Sequence, residues 1–371
     1  MITKPLYSVS IGDAFQILKT VADSTITNKK VPKNVFLHGS MGLGKSTIIK
    51  DLANYIRDTY DEFDDVVTID LRLSGMEDGS SVQGIPHLSQ KVGDEQDMMF
   101  STPQWWPKNE NAFYILFLDE LTNAHPTIQQ AAYRLVLDRS IQNGKALSNN
   151  VMIVGAGNMK SDKTGARELL PALANRFNIH LQIDKDLCVN SFIQYAFNHK
   201  LNPSIIAFIN YKKDALNLGY NSEPAFPTSR SWEMLHENLE IFKDASTDIL
   251  EKVIAGTIGS ATAIEFMAMM ECAKLLPNWS KVREGETYTV PTGRSEIFYI
   301  ITALSSELAT ALSEADKEYV DALSNIVAQL PTDLKVVLFK TLKNISISSL
   351  IKVLSYNTMK TEYEAVSKFV R

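Results

Sequence analysis

The chain is poor in cysteine, has no long uninterrupted apolar run and carries no excess of positive charge, and each shortage closes off a class of protein. Its two cysteines, Cys188 and Cys272, stand far apart in 371 residues and outside any C-x-x-C or Cys/His spacing. A disulfide scaffold or a cysteine-held metal therefore does not fit, and both are expected to be buried thiols in a reducing compartment. The opening residues, MITKPLYSVSIGDAF, lack the apolar core of a signal peptide. The most apolar later stretch, AGTIGSATAIEFMAMMECAKLLP, is interrupted by Glu265 and Glu271 and rich in small residues. It is expected to form a buried helix rather than a membrane span. With 37 Lys and Arg against 43 Asp and Glu, the net charge is −6, so no overall field attracts nucleic acid or an anionic membrane. Internal repeats and low-complexity segments are lacking too. What remains is an ordinary globular composition, 45% hydrophobic and 22% charged, in a chain long enough for two or three domains. A soluble intracellular protein is expected.

Three glycines, by contrast, fall within six residues of one another. FLHGSMGLGKSTIIK, Phe36 to Lys50, puts Gly39 four residues ahead of Gly44-Lys45-Ser46, the G-x-x-x-x-G-K-[ST] spacing of a P-loop. An apolar β-type run precedes it and a helical pattern follows, so strand, loop and helix come in the order that spacing requires. Without Cβ atoms at Gly39, Gly42 and Gly44, successive N–H groups can turn inward and, with the helix's positive end, form an anion site. The stretch Gly39, Ser40, Met41, Gly42, Leu43, Gly44, Lys45, Ser46 and Thr47 is expected to bind a nucleotide triphosphate. Lys45 would reach the β- and γ-phosphates, and the Ser46 hydroxyl would ligate Mg²⁺.

Up to about residue 183, short apolar runs alternate with helical patterns: NVFLHG, DVVTIDLRL, FYILFLDE, NVMIVGAGN and NIHLQI. Continuous apolar runs of this length fit strands covered on both faces, hence an α/β fold with a parallel sheet, the P-loop at its carboxyl edge. FYILFLDE ends in Asp119-Glu120. A carboxylate there would hold Mg²⁺, and its neighbour would act as general base on the attacking water. Two hairpins are expected to project from this core: GIPHLSQKVGDEQDMMFSTP, with VGDEQD as its turn, and RSIQNGKALSNN, turning at Asn143-Gly144. Trp105-Trp106 reads as packing rather than base stacking, since no basic cluster surrounds the pair. From Asp184 onward the chain reads mostly helical, and a polar, proline-bearing segment from Leu276 to Glu296 separates two helical blocks.

The P-loop, FLDE, GAGN, LLPALANRF and FPTSRSW come in an order that resembles AAA+ ATPases. LRLSGMEDGSSVQGIP, LDELTNAHPTIQQAAYRLVLDRSI and SNIVAQLPTDLKVVLFKTL resemble the MoxR group, in particular bacterial and phage ATPases paired with von Willebrand factor A (VWA) domain proteins. The resemblance implies an αβα P-loop core with hairpin inserts over residues 1–184, an all-helical lid over 185–280 and a helical C-terminal extension over 281–371. It implies ATP and Mg²⁺ as ligands, Asn158 as the sensor-1 residue, Arg176 as an arginine finger reaching the neighbouring subunit, and Arg230 as the sensor-2 arginine. GAGN departs from the ATQNP of many MoxR relatives. Arg167 fits a second trans-acting arginine and an ordinary ion pair equally well.

The implied protein is a cytoplasmic ring ATPase, in host cytoplasm if phage-encoded. Its expected form is a hexamer acting on a protein substrate, with a VWA-domain protein as a candidate partner. Two other readings stay open, a DNA-acting motor and a slow ATP-binding switch, as does guanine against adenine preference. A DNA motor would need basic hairpin tips. One tip, KVGDEQDMM, is mostly acidic and the other, QNGKA, carries only Lys145.

Overall fold

The computed structural model describes residues 7–91, 96–159, 165–220 and 223–370. The strands, in chain order, are β1 (Ser8–Val9), β2 (Val35–His38), β3 (Val66–Arg72), β4 (Pro86–Leu88), β5 (Met98–Phe100), β6 (Phe113–Asp119), β7 (Val151–Gly157) and β8 (Ile179–Ile183). The five apolar runs become β2, β3, β6, β7 and β8. They join β1 in one sheet ordered β1-β8-β2-β7-β6-β3, in which every pairing is parallel. β7 is buried along its whole length, as strands covered on both faces must be. β1 is too short to carry a periodic signal. It is fixed at the sheet edge by main-chain bonds from Gln182 N–H to Tyr7 O (2.9 Å) and from Asp184 N–H to Val9 O (3.0 Å).

The first compact unit runs to Cys188 and the second starts at Val189. In the first, α1 (Ile11–Asn28) packs on α2 (Lys45–Thr59), while α3 (Ser80–Gln83), α4 (Pro126–Leu137) and α5 (Pro171–Ala174) form another packed group. Phe36, Tyr114, Leu116 and Leu118 from the sheet join Ile128, Leu135, Leu173 and Phe177 in one apolar cluster with α4 and α5. From β2 the chain crosses to the far edge at β3, returns through β6 and β7, and passes to β8 on β2's other side. The phosphate loop thus leaves β2 where the strand order reverses, the position at which open α/β sheets bind ligands.

Both expected hairpins form. β4 and β5 pair antiparallel, Pro86 opposite Phe100 and Leu88 opposite Met98; residues 92–95, and with them most of the acidic VGDEQD turn, lie outside the described residues. The second hairpin pairs Ser140 with Ala146, closes with Leu147 N–H on Arg139 O at 2.7 Å, and turns at Asn143 and Gly144 (φ 83°). Asn143 Nδ2 donates to Thr102 Oγ1 at 3.0 Å, pinning this turn to the foot of the first hairpin. Trp106 is buried in the same cluster as Ile128, and Trp105 donates its indole N–H to Ser81 O at 3.0 Å.

Among the described residues of the second unit, helices are the only regular secondary structure. Its helices are α6 (Val189–Asn198), α7 (Pro203–Tyr211), α8 (Ser229–Ile241), α9 (Thr247–Ile258), α10 (Ser260–Glu271), α11 (Trp279–Arg283), α12 (Arg294–Glu314), α13 (Lys317–Ala328), α14 (Thr332–Ile345), α15 (Ile347–Lys352), α16 (Asn357–Glu364) and α17 (Ser367–Val370). Phe208, Trp232 and Phe266 meet pairwise with ring centroids 5.6 Å apart. Ile301, Leu304, Leu323, Leu338 and Phe339 build a second cluster. Apart from residues 185–188, the segments expected as lid and as extension lie in this unit, where α12 packs along α7 and the Ser204 and Tyr299 hydroxyls meet at 3.0 Å.

The single buried helix expected from AGTIGSATAIEFMAMMECAKLLP is two helices. Gly259 (φ 82°) ends α9 and opens α10, a backbone turn that an L side chain would resist. Ile264 is exposed and Glu265 is paired with Lys212 at 2.7 Å, so only one side of α10 is buried. Among the described residues no helix is long and apolar enough to cross a membrane. Both cysteines are buried and unpaired.

Within β7, a Cβ added at Gly155 would lie 2.7 Å from Phe36 and 2.8 Å from Phe177 ring carbons. Gly155→Ala is expected to lower stability by about 1–3 kcal/mol, the usual cost of overpacking. Urea denaturation would measure it, and an unchanged midpoint would contradict this packing.

Candidate phosphate-binding site

β2 ends at His38 and α2 begins at Lys45, leaving Gly39–Gly44 to make the turn between them. Gly42 (φ 73°) and Gly44 (φ 83°) occupy the left-handed region where a side chain would be strained. Gly44 is also the cap of α2, with no side chain to accept from the first-turn N–H groups. Those groups and the helix dipole favour an anion at this end. Leu43 is buried and holds the loop down, while Ser40 and Met41 are half-buried at its crest and Thr47 lies in the first turn of α2.

Lys45 is buried, and its ammonium donates to Gly39 O (2.5 Å), Ser40 O (2.8 Å) and Asn158 Oδ1 (3.2 Å). The first residue of α2 and the residue after β7 thus meet directly. Next to them Ser46 Oγ donates to Asp119 Oδ2 at 3.4 Å, and Asp119 Oδ1 accepts the Glu120 N–H at 2.8 Å. Burial, with the charges of Asp70 and Glu120 adding to it, raises the Asp119 carboxyl above its ordinary range, against the pull of the Glu120 N–H and Lys45. A half-buried carboxylate crowded by other carboxylates, with a hydroxyl in contact, is a hard-oxygen donor set that a divalent cation would relieve. Ser46 and Asp119 therefore fit a Mg²⁺ site.

Glu120 itself stands at φ 54°, unusual for a residue with a side chain. Such a backbone persists only where its surroundings hold it. Here Leu121 N–H donates to Ala156 O (2.9 Å), Arg167 N–H to Thr122 O (2.8 Å) and Thr122 Oγ1 to Asn158 O (3.2 Å). Gly157 has room for no Cβ, which would fall 2.4 Å from the Thr122 methyl. The Glu120 carboxylate accepts a short hydrogen bond from the Ser74 hydroxyl. Sequence reasoning missed Ser74 and Thr122. The only signal for Ser74 is register, since Arg72 on β3 pairs with Asp119 on β6 and so brings residue 74 alongside residue 120.

The two remaining candidates are held elsewhere. Arg176, just beyond α5, stacks its guanidinium 4.6 Å over the Tyr133 ring and donates from Nη1 to Ala172 O at 2.5 Å. Arg230 lies in the first turn of α8 in the second unit, behind a capping box of Thr228 and Ser231. Its charge bears on Glu233, whose carboxyl is raised by burial and drawn back by a Tyr195 hydrogen bond, His199 and Arg230.

Residues 35–185 match the family model of AAA, the ATPase family associated with various cellular activities. The matched residues make up most of the first unit. No curated protein sequence matches the chain. Among solved structures it is similar to RuvB, the Holliday junction branch migration motor of Thermotoga maritima, at 15% identity over 83% of this chain and 77% of that one, TM-score 0.35. It is also similar to NtrX of Brucella abortus in complex with ADP, at 13% identity over 99% and 70%, TM-score 0.38. A third is ORC1 of Aeropyrum pernix in complex with DNA, at 14% identity over 94% and 83%, TM-score 0.41. The P-loop, the Asp119-Glu120 strand end and Asn158 all fall inside the matched AAA segment.

Removing the Lys45 ammonium deletes a charge-assisted donor worth about 1.5–3 kcal/mol. Lys45→Ala is therefore expected to weaken ATP binding by about ten- to hundredfold in calorimetry. Unchanged affinity would move the triphosphate away from this loop.

Proposed function

We propose that the protein is a Mg²⁺-dependent ATPase of MoxR-like type that assembles as a homo-oligomeric, six-membered ring and remodels a protein partner. The observation that supports it most is the convergence of Lys45, Ser46, Asp119, Glu120 and Asn158 on one loop. Lys45 and the loop N–H groups bind the triphosphate, and Ser46 and Asp119 would hold the Mg²⁺ that neutralises phosphate charge. The Glu120 carboxylate takes the proton from the attacking water while the Asn158 amide orients it. In this reading the Ser74 hydroxyl, by donating to Glu120, holds the carboxylate turned away from the attacking water until nucleotide or neighbour draws it off.

Arg176 completes the site of the adjacent subunit, and Arg230, at the start of a helix in the proposed lid, answers the phosphates of its own. The lid comprises residues 185–280 and the extension residues 281–371. A protein substrate is favoured by the first hairpin, whose Leu88 (63% exposed) and Met98 (67%) stand out with Ile85 and Met99. Exposed aliphatic and thioether side chains adapt to varied apolar sequences and offer nothing to a phosphate backbone. That surface, with net charge −6, disfavours the DNA-acting alternative. A VWA-domain protein is the partner we favour.

The test is complementation. Glu120→Gln and Arg176→Ala should each bind ATP and release phosphate at least about 10³-fold more slowly, the scale of a lost arginine finger. Mixed after demonstrated subunit exchange, they should regain turnover where an intact Glu120 meets an intact Arg176. Exchange without recovery would overturn the shared site, and near-normal single turnover by Glu120→Gln would overturn the base. Ser74→Ala should raise basal phosphate release by about three- to tenfold, within the worth of one hydrogen bond to a charged group. A fall would contradict the restraint assigned to Ser74.

A further inference from the structure

Two histidines beneath the phosphate loop have no part in the chemistry above. His38 is the last residue of β2, directly before Gly39, and His180 lies on the neighbouring β8. Their rings stack with centroids 5.2 Å apart and an interplanar angle of 27°, closed in by Phe36 at 4.5 Å from His38 and 5.8 Å from His180. His38 Nε2 lies 3.0 Å from His180 Nδ1, and His180 Nε2 lies 2.9 Å from Ala174 O.

The protons follow from the end of this chain. A carbonyl oxygen only accepts, so His180 Nε2 carries the hydrogen, and in the neutral ring Nδ1 is then a lone pair. His38 Nε2 donates to that lone pair. Burial, with His180 and Lys45 as the neighbouring charges, pushes the His38 imidazole down to about 4, so it stays neutral around neutral pH and has a single N–H to give. β7 packs beside His38 with glycines at 155 and 157, which leave room for the aromatic cage and add no charge.

The chain of bonds ends on a short helix with a second task. α5 spans four residues. Its Ala174 carbonyl receives His180 and its Ala172 carbonyl receives the Arg176 guanidinium, while the buried Leu173 anchors it between them. At the other end, Gly39 is bonded through its carbonyl to the Lys45 ammonium and through its N–H to Gly157 O at 3.2 Å. We propose that His38 and His180 are positioning residues that fasten the Arg176-bearing turn to the strand feeding the phosphate loop. A nucleotide seated on one subunit's loop thereby sets the arginine that the same subunit offers to its neighbour. The proposal rests on the ATPase reading above.

His38→Phe keeps an aromatic ring and removes the donor, and His38→Gln returns an N–H near the Nε2 position. His38→Phe is expected to bind ADP within about twofold of the wild type while kcat falls about ten- to hundredfold at unchanged KM, the scale of a slightly misplaced catalytic group. His38→Gln is expected to recover most of that loss. Full turnover by His38→Phe, or equal impairment of both variants, would overturn the proposal. Should His38→Phe not fold, the wild-type protein still decides through long-range ¹H–¹⁵N spectra of ¹⁵N-histidine-labelled chain. Both rings should show the Nε2–H tautomer, and the His180 signals should shift on adding ADP. An Nδ1–H tautomer at either ring, or a His180 signal indifferent to bound ADP, would overturn it. A wild type that does not bind ADP at all would instead overturn the ATPase reading underneath.

Discussion

Everything at the site depends on strands of one parallel sheet ending side by side. β2 lies between β7 and β8, and β6 lies beyond β7, so the residues that follow these strands share one edge without long excursions of the chain. Glycine at 155 and 157 of β7 lets the Phe36 and Phe177 rings and the Thr122 side chain lie directly over that strand, where a side chain would strike them. With the strand ends so covered, Lys45 reaches Asn158 across the β2–α2 turn and the end of β7 at 3.2 Å. Packing in the sheet is thus the precondition for the electrostatics above it.

Those electrostatics oppose one another. A buried ammonium and a half-buried carboxylate stand on adjacent residues' partners, Lys45 against main-chain oxygens and Asp119 against Ser46. Desolvation disfavours both charges, and a triphosphate with a divalent cation supplies the complementary charge to each. Glu120 is set apart from this pair by a left-handed backbone that turns it toward β3 and Ser74.

Much of this was legible because each signal was local. The P-loop spacing, the apolar run into Asp119-Glu120 and the Asn-Gly turn at residue 143 are short patterns with one structural solution, and each appears where expected. What escaped depended on pairing between distant segments. Ser74 meets Glu120 only through the β3–β6 register, and the His38–His180 contact needs two strands 142 residues apart in sequence to lie adjacent. β1 is two residues long and is defined by its partner rather than its own sequence. The stretch read as one helix around residue 259 failed for a different reason. Composition reports burial averaged over a window, whereas a single glycine with φ 82° decides where the axis breaks.

The resting place of Arg176 has a further consequence under its proposed role toward a neighbour. A guanidinium over an aromatic face is held by about 1 kcal/mol at an exposed site. The Nη1 bond to Ala172 O at 2.5 Å adds about 1 kcal/mol more, so by the Boltzmann factor only about three molecules in a hundred have the side chain released at any moment. Tyr133 and the Ala172 carbonyl together therefore work as a weak latch. It keeps the arginine folded away during chance collisions yet exacts only a small penalty from a correctly docked subunit, whose phosphate charge outbids the ring. Assembly would be filtered rather than blocked, and an unassembled chain would have little means of consuming ATP.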